Sequence, residues 1–119
     1  MTATTAKEID MHQTQYAECI KACDDCAAAC NHCASACLQE EDVKMMARCI
    51  ALDMDCAAIC QLASAAMSRD SASAEEFCRV CASVCQVCAD ECAKHSMAHC
   101  RECADACRRC AEVCLQMAA

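Results

Sequence analysis

Apolar positions recur along most of this chain at steps of three and four residues, and at most of them the residue is cysteine. The runs are Cys19, Cys23, Cys26, Cys30, Cys33 and Cys37; Cys49, Cys56 and Cys60; Cys78, Cys81, Cys85, Cys88 and Cys92; and Cys100, Cys103, Cys107, Cys110 and Cys114. A helix turns about 100° per residue, so this alternation keeps every thiol of a run on one face. Four runs predict four helices, spanning about residues 6–38, 43–67, 74–93 and 97–117. The polar stretches Gln39 to Asp42 and Ser68 to Ser73 read as connections. Thr5 with Glu8 and Ser73 with Glu76 form capping boxes, while Asp42 and Ser96 are caps for the second and fourth helices. Connections this short make consecutive helices antiparallel. The predicted fold is all-α: an up-down-up-down four-helix bundle whose a and d positions line the core with cysteine.

Composition changes this picture in two ways. Leu, Ile, Val and Phe supply only fourteen of 119 residues and the net charge is −8, a combination that ordinarily points to disorder. The periodic cysteines reverse that reading, because a protonated buried Cys behaves as a small hydrophobe. Gly and Pro are absent, so glycine turns, glycine caps and proline breaks are not available. A single domain over residues 1–119 is expected. Met1 to Gln15 carries Lys7, Glu8 and Asp10 and no apolar run, so neither a secretory signal nor a membrane span is expected there. A cytoplasmic location with reduced thiols follows, and an odd count of nineteen excludes complete internal disulfide pairing. The acidic balance, without a basic stripe or aromatic platform, argues against nucleic acid as a partner. A second stripe on the third helix, Phe77, Val80, Val84 and Val87, is either a wider core face or a contact between identical bundles.

Cysteines three or four residues apart lie one above the other on a helix, with Cβ atoms about 5–6 Å apart, and two such thiolates can clasp one ion. The chain has six C-x-x-C and eight C-x-x-x-C pairs. One C-x-x-C would serve equally as a redox dithiol, but an unbroken ladder on several helices points to many metal ions. Soft thiolates favour Cu(I), Zn(II) and iron–sulfur clusters. A thiolate and Cu(I) cancel, whereas zinc in four-thiolate sites leaves −2 per site in a bundle with no core Lys or Arg. Iron–sulfur clusters need four cysteines aimed at one point, usually from an irregular loop. Multiple Cu(I) ions per chain are therefore expected. Filling a core with nineteen cysteines for packing alone is poor design, since Leu and Ile fill cores more stably. Cys49 stands most apart, with Leu52 taken as the stripe position before Cys56, which makes the second helix poorest in ligands.

The antiparallel topology predicts that one bundle end gathers Met45, Met46, His95, Met97 and His99. Thioether and neutral imidazole bind Cu(I) without losing a thiol proton, so these residues suit a loading port. The opposite end gathers Met11, His12, Tyr16, Met67 and Met117, while His32 faces away from the cysteine ladder.

From about His12 to Met117 the chain resembles the bacterial copper storage proteins, in ladders such as C-I-K-A-C-D-D-C-A-A-A-C-N-H-C from Cys19 to Cys33. It is most similar to their cytosolic branch. The resemblance implies a four-helix bundle, Cu(I) held by core thiolates at all nineteen cysteines, and assembly as a homo-oligomer, usually a tetramer. Storage needs no enzyme chemistry; copper donor or acceptor proteins are the expected partners, and neither nucleic acid nor membrane. Two other readings stay open: a thiol redox enzyme, which requires one distinguished low-pKa cysteine, and a zinc- or cadmium-sequestering thiolate protein.

Overall fold

The computed structural model describes residues 3–118, with side chains described from Tyr16 onward. Four helices run through it: α1 (Ala3–Cys37), α2 (Ala47–Ser68), α3 (Ala74–Cys92) and α4 (Ala98–Ala118), with one 3₁₀ turn, Val43–Met46, ahead of α2. The principal contacts form a ring, in which α1 packs on α2 and α4 while α3 packs on the same two neighbours. This is the up-down-up-down bundle, and its axis is where the four cysteine faces meet.

The reason lies in residue size. All nineteen cysteines are fully buried, and rows of alanine flank them, among them Ala22 and Ala27 on α1, Ala63 and Ala66 on α2, Ala89 on α3 and Ala111 on α4. Alanine is the strongest helix former and lets helices approach closely, so a thin, sulfur-filled interior can close without large aliphatic residues. Val43–Ser68 is long and apolar enough to cross a membrane by length and composition. Its cysteines and Asp53 are nevertheless buried in the bundle, which is the pattern of a core helix.

Several ends differ from the predicted ones. The first helix begins at Ala3, upstream of Thr5, so Thr5 falls inside it rather than capping it; the side chains of Thr5 and Glu8 lie outside the described set. Asp42 precedes the 3₁₀ turn and makes no side-chain capping bond, and the α-helix proper starts only at Ala47. Ser73 sits at the N-cap of α3 as predicted, but its backbone carbonyl receives the Phe77 N–H at 3.0 Å and its side chain makes no cap bond. At α4 the cap moves from Ser96 to Met97, whose carbonyl accepts the N–H groups of Cys100 and Arg101, both at 3.1 Å.

The end of α2 shows how the chain manages without glycine. Ser71 N–H reaches back to the Ala66 carbonyl at 2.9 Å and Asp70 N–H to the Met67 carbonyl at 3.1 Å, the paired bonds of a Schellman cap. The left-handed residue this cap requires is Asp70, with φ 53°. Aspartate is among the few residues that visit this region routinely, so it takes the place glycine would hold.

The third-helix stripe divides. Phe77 and Val84 are partly buried against the core, whereas Val80 and Val87 are about half exposed on the outer face, next to an exposed Leu115 of α4.

At the end of α1 the backbone tightens. Gln39 and Glu40 donate to the carbonyls of Ala36 and Cys37, each three residues back, at 3.0 and 3.2 Å. This curl brings Glu40 across the bundle end, within hydrogen-bonding reach of His99 on α4.

Candidate metal centre

The thiols form one continuous column. At the end formed by the start of α3 and the last turns of α4, Cys19 and Cys23 lie 3.5 and 3.6 Å from Cys114. Deeper, Cys26 is 3.6 Å from Cys107 and 3.7 Å from Cys56, and Cys60 is 3.6 Å from both Cys81 and Cys85. Cys30 links onward to Cys103 and Cys107, each at 3.6 Å. With metal–sulfur bonds of about 2.3 Å, two sulfurs on one ion lie at most about 4.6 Å apart. The observed spacings therefore need little movement to close on ions.

The donor groups overlap. Cys23, Cys81, Cys110 and Cys114 form one set whose ligand atoms lie within 4.8 Å of one another; Cys26, Cys60, Cys85 and Cys110 form the next. Cys26 returns in a third set with Cys30, Cys56 and Cys107, and Cys30 and Cys107 recur in a fourth with Cys88 and Cys103. Each set shares at least one sulfur with its neighbour. Separate tetrahedral sites would not share in this way; ions bridged by common thiolates do.

Burial and mutual hydrogen bonding govern the proton state of the column. Burial pushes the Cys37 thiol up and holds Cys100 at about 11, the nearby Cys49 adding to it. The bond with Cys103 raises Cys30 and Cys107, and the bond with Cys110 raises Cys60 and Cys81. Thiolate charge is costly in this interior unless a cation accompanies it.

Asp53 is the residue that the sequence reading missed. It is fully buried on α2. Its Oδ1 accepts hydrogen bonds from Cys103 at 3.2 Å, Cys88 at 3.3 Å and Cys92 at 3.4 Å, and Cys49 donates to Oδ2 at 3.8 Å. The ladder position between Cys49 and Cys56 thus belongs to Asp53, and Leu52 is only partly buried beside it. The signal was present: positions 49, 53 and 56 continue the four-then-three step, with a carboxylate in a cysteine slot. Charged residues are seldom buried, so a carboxylate in a thiol ladder does not announce itself. Burial, above all, pushes the Asp53 carboxyl up to about 10, so it sits in the column as a neutral acid. Cys49 is no outlier either, being fully buried and 3.5 Å from Cys92.

The predicted port residues take different places. His99 directs Nδ1 at Cys33 and Cys100, each 3.5 Å away, and at Cys37, 3.9 Å away; these four ligands form a set of their own. Its Nε2 is 2.9 Å from a Glu40 carboxylate oxygen. His95 instead pairs through Nε2 with Glu91 at 3.0 Å. Glu91 is buried and also receives Arg48 at 3.3 Å and Lys94 at 3.4 Å. Burial works to raise the Glu91 carboxyl, but the bonds from His95 and Lys94 outweigh it and hold it below the usual carboxylate range. Met46 is buried and Met97 packs against the core, whereas Met45 is 67% exposed and stands outside the thiol column, because the 3₁₀ turn directs it to solvent. At the other end Met67 is buried and Tyr16 and Met117 are partly buried, while the side chains of Met11 and His12 lie outside the described set. His32 is exposed.

Residues 12–119 match the family described as Copper storage protein (Csp). The chain is 48% identical to Cu(I)-bound Copper Storage Protein BsCsp3 from Bacillus subtilis, covering 88% of this chain and 99% of that one, with a TM-score of 0.86. It is 40% identical to a cytosolic copper storage protein from Streptomyces lividans carrying five coppers, over 92% and 96% of the two chains, with a TM-score of 0.87. A Nitrosospira multiformis protein, Nmul_A1745, is 34% identical over 89% and 96%, with a TM-score of 0.80. No curated protein sequence matches the chain. The chain belongs to the copper storage protein family.

The buried Asp53 makes the stability of the metal-free protein pH-dependent. In the unfolded chain this carboxyl loses its proton near its ordinary value of 3.8, whereas the fold retains it up to about 10. Between those values the unfolded state binds fewer protons, so stability falls as pH rises. Thermal unfolding of the reduced, metal-free protein from about pH 5 to about pH 7.5, below the ordinary thiol range, is expected to show a falling Tm. Asp53→Asn flattens that fall; equal slopes in the two proteins would contradict a neutral buried acid.

Proposed function

We infer that this chain stores many Cu(I) ions along its axis, bound by thiolates of the nineteen core cysteines and shared from site to site. The observation that carries the reading is the overlap of successive donor sets through Cys110, Cys26, Cys30 and Cys107. Charge explains the choice of ion. Each Cu(I) replaces one thiol proton, so the column gains metal without gaining net charge. Zinc in four-thiolate sites would leave two negative charges at each, with no Lys or Arg among the described buried residues to offset them. Solved structures of copper storage protein from Streptomyces lividans, one with five coppers and one loaded with ten copper equivalents, support the same reading.

Uptake proceeds through the end that holds His99. There a nitrogen donor that needs no thiol deprotonation lies beside Cys33, Cys37 and Cys100. Met46, Met97 and His95 border this end, and Met45 offers a thioether on its outer surface. Asp53 lies between this outer group and the deeper column, contacting Cys88, Cys92 and Cys103. All residues act within one copper-binding domain, and no catalytic step is required. A cytoplasmic location is inferred with the cytosolic relative in support, and a copper donor or acceptor protein would meet the His99 end.

The outer face of α3 and α4 supports assembly with copies of this chain. Val80, Val87 and Leu115 are exposed there, and Val87 and Leu115 line a groove with Arg79, Ala82 and Ser83. Contiguous exposed apolar surface of this kind marks an interaction site. A tetramer is the expected assembly.

Two measurements test these points. Anaerobic Cu(I) titration of the reduced protein is expected to reach saturation at a copper count in the teens, about one ion per thiolate; saturation at four or five ions would favour separate zinc-type sites. Light scattering is expected to give the mass of an oligomer, and Val87→Glu with Leu115→Glu lowers it. A mass equal to one chain in the unmodified protein would remove the assembly.

A further inference from the structure

His99 faces two ways. Its Nδ1 looks into the bundle, 3.5 Å from Cys33 and Cys100 and 3.9 Å from Cys37, while its Nε2 looks outward to Glu40 at 2.9 Å. Only one nitrogen of a neutral imidazole carries a proton; the other presents the lone pair that binds a metal. A carboxylate can only accept. Opposite Glu40, therefore, Nε2 must be the protonated nitrogen and Nδ1 the free one.

We propose that Glu40 is a positioning residue for copper uptake: it holds His99 in the Nε2–H tautomer and ring orientation that present the Nδ1 lone pair to Cys33, Cys37 and Cys100. This rests on the reading of His99 as the nitrogen donor at the uptake end. A hydrogen bond from the outer nitrogen of a metal-binding histidine to a carboxylate fixes tautomer and orientation and raises the basicity of the inner nitrogen.

The placement of Glu40 is specific. It follows the last turn of α1, where the backbone tightens through the Gln39 and Glu40 bonds to Ala36 and Cys37. It then crosses to a residue 59 positions away on α4. Its neighbours Glu41 and Asp42 are exposed, so the carboxylate at position 40 alone of this acidic run reaches a ring. The second histidine provides an internal contrast. His95 also gives Nε2 to a carboxylate, but that of Glu91 is drawn simultaneously to Arg48 and Lys94. Glu91 ties α2 to the end of α3, whereas the Glu40 carboxylate is 32% exposed and, among the described residues, pairs with His99 only.

The test uses the full reduced chain and its Glu40→Gln, Glu40→Ala and His99→Ala variants, with circular dichroism to confirm equal helicity. Glu40→Gln retains a carbonyl oxygen that accepts Nε2–H; Glu40→Ala retains nothing. Long-range ¹H–¹⁵N NMR above neutral pH reports the His99 tautomer. Stopped-flow transfer from a bicinchoninate-chelated Cu(I) donor reports the uptake rate, and titration reports capacity. The unmodified protein is expected to show a single Nε2–H tautomer. Glu40→Ala shows a mixture and loads roughly tenfold more slowly at unchanged capacity, and Glu40→Gln keeps both tautomer and most of the rate. If Glu40→Ala loads at the original rate while His99→Ala is slow, the positioning role is overturned and the uptake end stands. If Glu40→Gln is as slow as Glu40→Ala, or the tautomer is the same in all, Glu40 acts through charge and the proposal fails. If His99→Ala loads normally, the uptake reading falls and the proposal with it.

Discussion

A closely packed column of thiols, with no buried Lys or Arg among the described residues, can ionise only where a cation arrives with each lost proton. Every cysteine is fully buried, and the described sulfur contacts cluster between 3.5 and 4.0 Å. Two bare thiolates at such a distance in a low-dielectric medium repel strongly, and each also loses its hydration. A monovalent ion shared between neighbouring sulfurs offsets one thiolate charge for each ion bound, and one ion per thiolate leaves the column neutral. From this constraint follow the choice of ion, the sharing of sulfurs between sites, and the neutrality of Asp53, the carboxyl in the same column. The thin helix spacing provided by the alanine rows keeps the sulfurs within reach of common ions.

The two regions of the column differ in how they meet this constraint. Beyond Asp53, toward the C-terminal turns of α4, the donor sets are made of thiols, and hydrogen bonds to neighbouring sulfurs raise Cys30 and Cys107 above the ordinary thiol range. At the His99 end an imidazole nitrogen joins three thiols, and the carboxylate of Glu40 stands behind it. On the proposed uptake route this imidazole is the donor that needs no thiol proton removed. The ion pairs that close this end, Glu91 with Arg48 and Lys94, lie outside the column rather than within it, and His95 bonds to the same carboxylate.

The architecture and the identity of the column were legible in sequence because period and chemistry coincide: a three-four step in cysteine marks both a helix face and a ligand ladder. What escaped were features that depend on contacts between distant residues or on backbone geometry. Asp53 occupies a cysteine slot, yet only the convergence of Cys88, Cys92 and Cys103 from two other helices makes a buried carboxyl tolerable there. Glu40 belongs to an acidic connection that any reading would leave in solvent, and its partner is 59 positions away. The sequence pattern predicts side-chain caps at Asp42, Ser73 and Ser96, but backbone carbonyls supply the bonds at Ser73 and Met97. Glycine's absence did not remove the left-handed cap; Asp70 adopted it. Met45 and Met46, adjacent in sequence on the 3₁₀ turn, separate into solvent and core.

The claim that monovalent copper neutralises the column as it fills is tested most directly by counting protons. A pH-stat record during anaerobic Cu(I) addition to the reduced protein, from a ligand-free cuprous stock, is predicted to show roughly one proton released per ion across the whole filling range. Release that stops after the first few ions while copper continues to bind, or that runs near two protons per ion throughout, would contradict it.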